Sequence, residues 1–138
     1  MRALVALILL TLPTALAAPV PKELKKNDLA RLEGEWTEYS SDPNRRNFGY
    51  RFTFDRDGKA AIHEPKGDQS HHYTFQLEPD AVPPRLTWNG SRGAPSAYRG
   101  VYRLDGDTIA IVFVTADQPY PKEVKAGLGT YYELRRGK

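Results

Sequence analysis

Hydrophobic and polar residues alternate along much of this chain with a period of two. The clearest run is Phe48-Gly49-Tyr50-Arg51-Phe52-Thr53-Phe54, aromatic at every even position and small or polar at every odd one. That is the period of a strand with one buried face. An earlier strand is predicted over residues 31–40, where Gly34 and Trp36 stand two apart and so share a face. A glycine beside a large aromatic suggests backbone passing closely over a buried ring. Trp36 is expected to plug one end of a small barrel. Further strands are predicted over 59–64, 70–77 (Tyr73, Phe75 and Leu77 on one face), 85–89 (Leu86 and Trp88), 97–104, 107–114 and 129–136. Asp105-Gly106 between the sixth and seventh is a strong hairpin signal. The seventh carries Ile109, Ile111 and Phe113 on one face and Ala110, Val112 and Val114 on the other, so it is expected to be covered on both sides. The segments between strands are rich in Pro, Gly, Asn and Asp. A single helical turn is expected at Leu29-Ala30-Arg31-Leu32, with room for another at 122–126. Eight short strands at near-even spacing and no long helix predict an all-β up-and-down barrel or a sandwich.

Composition narrows the picture. The chain has 138 residues, enough for one domain with a core. Residues 1–17 follow the grammar of a secretory signal peptide: positive Met1-Arg2, an apolar run over 3–12, and small residues at Ala15 and Ala17. The run is too short to span a bilayer, which takes roughly 20 residues. Cleavage after Ala17 would export the remainder to the periplasm or beyond, with no transmembrane segment left. Residues 18–27 read as a flexible lead-in and 28–138 as the barrel domain. The chain has no cysteine, so disulfides and thiol chemistry are excluded. A net charge of +3 with scattered basic residues argues against nucleic acid as a partner.

Leu32-Glu33-Gly34-Glu35-Trp36 resembles the Leu-x-Gly-x-Trp opening of lipocalin-like domains. The stretch from Tyr98 to Thr108 and Tyr120-Pro121-Lys122-Glu123 are similar to later blocks of a family of small exported lipocalin-like domains of planctomycete bacteria. The resemblance runs from about Asp28 to Arg136. It implies an antiparallel eight-stranded lipocalin-like barrel. It also implies that Trp36 is covered by a basic residue of the last strand. Arg136 is the candidate, since Tyr132, Leu134 and Arg136 share the apolar face. Glu38 departs from the family pattern, which has an apolar residue there. Classical lipocalins carry small apolar ligands, and a similar role is one expectation here.

Candidate chemistry is sparse. Strand alternation points Glu38 and His71 inward, where they are expected to meet as a polar anchor for a ligand or, at low weight, as an acid–base pair. His63 and His72 are expected outside and near one another across a hairpin, short of the third ligand that zinc needs, so no metal site is expected. Asp55-Arg56-Asp57-Gly58 looks like a calcium loop but lacks the later acidic positions and reads as a turn. No phosphate loop, His-Glu-x-x-His or Gly-x-Ser-x-Gly occurs. No cofactor is expected. The aromatics carry the strongest hint: Tyr50, Phe52, Tyr73, Trp88, Tyr98 and Tyr102 are expected to line one interior. With Glu38 and His71 they make the candidate ligand site. The expected function is an exported, non-catalytic binding module for a small, partly apolar ligand. The alternative is an envelope interaction or structural domain with a filled barrel.

Overall fold

The computed structural model describes residues 28–67, 69–91 and 97–138. The segments read as signal peptide and lead-in lie outside the described residues. The described residues begin with one helix, α1 (Asp28–Leu32), and continue as eight strands: β1 (Gly34–Tyr39), β2 (Arg51–Phe54), β3 (Lys59–His63), β4 (Ser70–Glu78), β5 (Arg85–Gly90), β6 (Tyr98–Asp105), β7 (Thr108–Thr115) and β8 (Thr130–Arg136). Each strand pairs antiparallel with the next, and β8 pairs back onto β1. The protein is therefore an all-β, eight-stranded, up-and-down barrel, which leaves no free sheet edge. Among the described residues no helix is long and apolar enough to cross a membrane.

Alternation sets the inside. Trp36, Phe52, Phe54, Tyr73, Phe75, Leu86, Trp88, Tyr102, Ile111, Phe113 and Leu134 are buried in one contiguous core. Register brings them face to face: Trp36 lies opposite Phe52, Phe75 opposite Trp88, and Ile111 opposite Tyr132. Eight strands enclose a space that side chains can almost fill.

The second strand is shorter than its aromatic alternation predicts. The amides of Phe48 and Tyr50 turn to the Glu38 side chain and that of Gly49 to Asn47, while the Tyr50 carbonyl accepts from the Glu38 amide. The Glu38 carboxylate accepts hydrogen bonds from the backbone amides of Phe48 (3.1 Å) and Tyr50 (3.2 Å), and Asn47 donates to the Glu38 carbonyl. The turn at Asp55 is a hairpin closed by its own carboxylate, which accepts from the amides of Asp57 and Lys59.

The outer face of β7 is covered, as its two-sided apolar pattern predicts, and the cover extends to Val101 on β6. Val101 and Val112 point outward, yet both are fully buried. The segment 116–124 crosses this face. Tyr120 hydrogen-bonds Thr87 through its hydroxyl (2.7 Å) and stacks under Arg85 and Arg99, while Arg99 donates to the Gln118 carbonyl. No helical turn forms at 122–126, where the chain only bends. Pro119 and Pro121 flank the anchored Tyr120 and hold that stretch extended across the sheet.

Candidate functional site

Strand direction divides the barrel into two ends. One end holds α1, the start of β1 and the end of β8, and it is closed. Trp36 is fully buried there, and its indole N–H donates to the Leu32 carbonyl at 2.7 Å. The Arg136 guanidinium lies 4.4 Å from the Trp36 ring centre and also donates to the carbonyls of Glu33 (2.7 Å) and Arg31. This is the predicted cation–π cover, a contact of about 0.5–2 kcal/mol. Gly34 serves it in an unexpected way. Its φ is +120°, and a Cβ there would stand 3.3 Å from Arg136 Nη1. The group that approaches the glycine is the guanidinium, not backbone crossing the Trp36 ring.

The other end opens into a cavity of about 200 Å³. Trp88 and Phe113 contribute to its apolar wall, Tyr50, Tyr73, Tyr98 and Tyr132 surround it, and Ile62, Glu64, His71 and Thr130 complete the lining. Two glycines make room for Phe113. A Cβ on inward-facing Gly100 would lie 3.1 Å from the Phe113 ring and 2.9 Å from the Val112 carbonyl, and one on Gly129 would lie 2.3 Å from the Phe113 carbonyl. The rings brace one another: Tyr73 lies tilted on Trp88 at 4.9 Å, while Trp88 meets Phe113 at 5.0 Å and Tyr50 meets Tyr132 at 6.2 Å edge to face. Phe52 lies outside the lining and supports it from below, against Trp88 and Tyr132.

The polar atoms here are short of partners. No hydroxyl of Tyr50, Tyr73, Tyr98 or Tyr132 makes a hydrogen bond among the described residues, and the buried indole N–H of Trp88 has no acceptor. Burial, and then the nearby Tyr98, raise the Tyr73 hydroxyl above its ordinary range. Burial pushes Tyr132 up to about 12, with smaller contributions from Tyr50, Glu38, Tyr73 and Tyr98. The four hydroxyls thus gather around one small, partly dry space.

Of the eight residues expected to form the ligand site, Tyr50, His71, Tyr73, Trp88 and Tyr98 line the cavity. Tyr102 faces the closed end, where its hydroxyl donates to Asp28 at 2.8 Å. Glu38 and His71 do not meet. Glu38 is buried and held by the two amides of the β1–β2 loop, whereas His71 Nε2 sits 3.4 Å from Glu64. Their strands approach opposite sides of the mouth, so the anticipated pair is replaced by Glu64 and His71. Of the two outward histidines, His63 has side-chain partners. His63 bonds Ser70 at 2.8 Å and lies 3.4 Å from Thr53, while His72 stands opposite Ala61. Among the described residues no cluster of three or more His, Cys, Asp or Glu could hold a metal ion.

Sequence reasoning passed over Ile62, Glu64, Phe113, Thr130 and Tyr132 as site residues. The signal was present for four of them. Ile62, Phe113, Thr130 and Tyr132 carry the inward parity of their strands. Glu64 shares parity with Ile62 but follows the end of β3, where alternation loses its authority. No family model, curated protein or solved structure matches this chain.

Proposed function

We propose that the barrel is a binding module for a small, partly apolar molecule held in the open-end cavity. The observation that carries this reading is the set of four tyrosine hydroxyls without partners around one aromatic-walled space. The hydroxyls reach the open space, and the buried Trp88 N–H beside them has no acceptor either, although buried polar groups are nearly always hydrogen-bonded. A group of them left open to the same cavity is what a ligand with polar atoms would complete. Size bounds the ligand. The cavity is below the roughly 300–1,000 Å³ of drug-sized sites, yet an apolar cavity of about 150 Å³ can hold benzene. A one-ring or short branched molecule fits.

A lipocalin-like affiliation and export through residues 1–17 belong to the same proposal. The support for the first is up-and-down closure with Trp36 beneath Arg136 at the closed end. The alternative, an interaction domain with a filled barrel, sits poorly with open space beside Trp88. Among the described residues the large exposed apolar ones are Phe48, Val82 and Leu128, which lie in separate loops.

The test is an NMR titration of the barrel with phenol and with cyclohexanol. Saturable shifts are expected at micromolar to millimolar concentration, centred on Tyr50, Tyr73, Tyr98 and Tyr132. Shifts that stay linear for both compounds, or that map to the outer face, would defeat the cavity reading.

A further inference from the structure

The cavity has a preference in charge as well as in size. Six aromatic rings line it: Tyr50, Tyr73, Trp88, Tyr98, Phe113 and Tyr132. Their contacts have interplanar angles between 55° and 81°. None is a parallel stack, so the rings turn a mixture of faces and edges to the space between them. An aromatic face is negative and attracts cations.

The charged groups point the same way. Glu64 lines the mouth with its side chain 40 % exposed. Glu38 stands behind Tyr50 and Tyr132, bound to the Tyr50 amide. Among the described residues no lysine or arginine lines the cavity. Arg45 and Arg46 border the neighbouring cleft and not the cavity itself, and Arg45 Nη1 is buried there without a partner. Arg45 lies 4.4 Å over the Tyr131 ring and donates to the Tyr131 carbonyl, and Arg46 lies 5.2 Å over Phe48. An anion entering this cavity would meet the Glu64 carboxylate and no lysine or arginine of its lining. A neutral molecule would gain nothing from that charge.

Resting on the binding reading above, we propose that the ligand is a small organic cation with an alkylated ammonium group of the trimethylammonium type. Such a group has no N–H to satisfy, so it loses less on leaving water than a primary ammonium does. Its methyl surface suits Trp88 and Phe113, and its spread charge suits the ring faces. The tyrosine oxygens turn their lone pairs to it, and Glu64 supplies the counter-charge at the entrance. His71, within 3.4 Å of Glu64, competes for that carboxylate when it is protonated.

Calorimetric titration with choline and with its neutral carbon isostere, 3,3-dimethyl-1-butanol, decides the matter. It is run at about pH 8, where an ordinary imidazole is neutral. Choline is expected to bind at least roughly tenfold more tightly than the isostere. Glu64→Gln is expected to weaken choline roughly three- to tenfold and leave the isostere unchanged. Glu64 is partly exposed and outside the core, so the variant should fold. Equal affinities, or a tighter isostere, overturn the cation inference and leave the cavity reading standing. Binding of phenol or cyclohexanol without binding of choline does the same. If neither choline, the isostere, phenol nor cyclohexanol binds, both fall. An unchanged choline affinity in Glu64→Gln overturns the part given to that carboxylate.

Discussion

The two ends of this barrel are built from the same kinds of residue and treat them in opposite ways. Each has an indole in the core and tyrosine beside it. At the closed end the Trp36 N–H reaches the Leu32 carbonyl and the Tyr102 hydroxyl reaches Asp28. Arg136 satisfies two further carbonyls while covering the ring. At the open end the Trp88 N–H has no acceptor, and four tyrosine hydroxyls have no partner among the described residues. The closed end shows that this chain can place a partner within hydrogen-bond reach of a buried aromatic when packing alone is at stake. Buried atoms without a partner also occur at Arg45 and Arg85, but the Trp88 N–H is the one that lies in the cavity wall.

Truncation should expose the largest difference. Trp36→Ala removes a fully buried ring, its hydrogen bond and its cation–π partner. A loss of about 3–5 kcal/mol is expected in urea denaturation. Tyr98→Ala, at the cavity rim, should cost less than half as much, because one side of that ring already faces open space. A loss below about 1 kcal/mol for Trp36→Ala would remove the closed end from its role as the stabilising plug.

A finer contrast deletes only hydroxyls. Tyr102 and Tyr73 are both buried, at 1 % and 5 % exposure. Tyr102→Phe breaks a hydrogen bond to a carboxylate and should cost about 1–3 kcal/mol. Tyr73→Phe breaks no bond and should change stability by less than about 0.5 kcal/mol. Equal losses in the two denaturation curves would mean that Tyr73 has a partner after all, and the asymmetry between the ends would disappear.

Much of the barrel was legible because alternation and turn chemistry agreed along the chain. All eight strands lie within a few residues of where period-two patterning puts them, and Arg136 was reachable from the parity of β8. What was not legible came from side chains that intervene in the backbone. Glu38 captures the amides of Phe48 and Tyr50, shortening β2 and withdrawing its own carboxylate from His71. Tyr102 obeys the inward parity of β6, but parity cannot say at which end of the barrel a side chain lies. It sits four residues beyond Tyr98, which carries it from the cavity to Asp28. The cavity itself depends on Gly100 and Gly129 letting Phe113 settle, a matter of packing that no local pattern encodes.

The smallest expected effect concerns alkaline pH. Burial and then the Asp28 hydrogen bond raise Tyr102 far above the ordinary tyrosine range, while burial brings Tyr132 up to about 12 from a model-peptide value of 10.0. A tyrosine raised on folding ionises first in the unfolded chain. Its stabilising contribution is therefore complete below pH 10 and fades as the pH climbs through the folded value. Denaturation free energies measured between about pH 9 and 12 should fall for the wild type. Tyr102→Phe should flatten that limb most. Tyr132→Phe should flatten it less and only between 10 and 12, since water entering the cavity screens part of the penalty on its phenolate. If Tyr132→Phe leaves the slope unchanged, its hydroxyl ionises as freely in the barrel as in the unfolded chain. The open end would then be a wet vestibule without the desolvation that makes its unpaired hydroxyls informative.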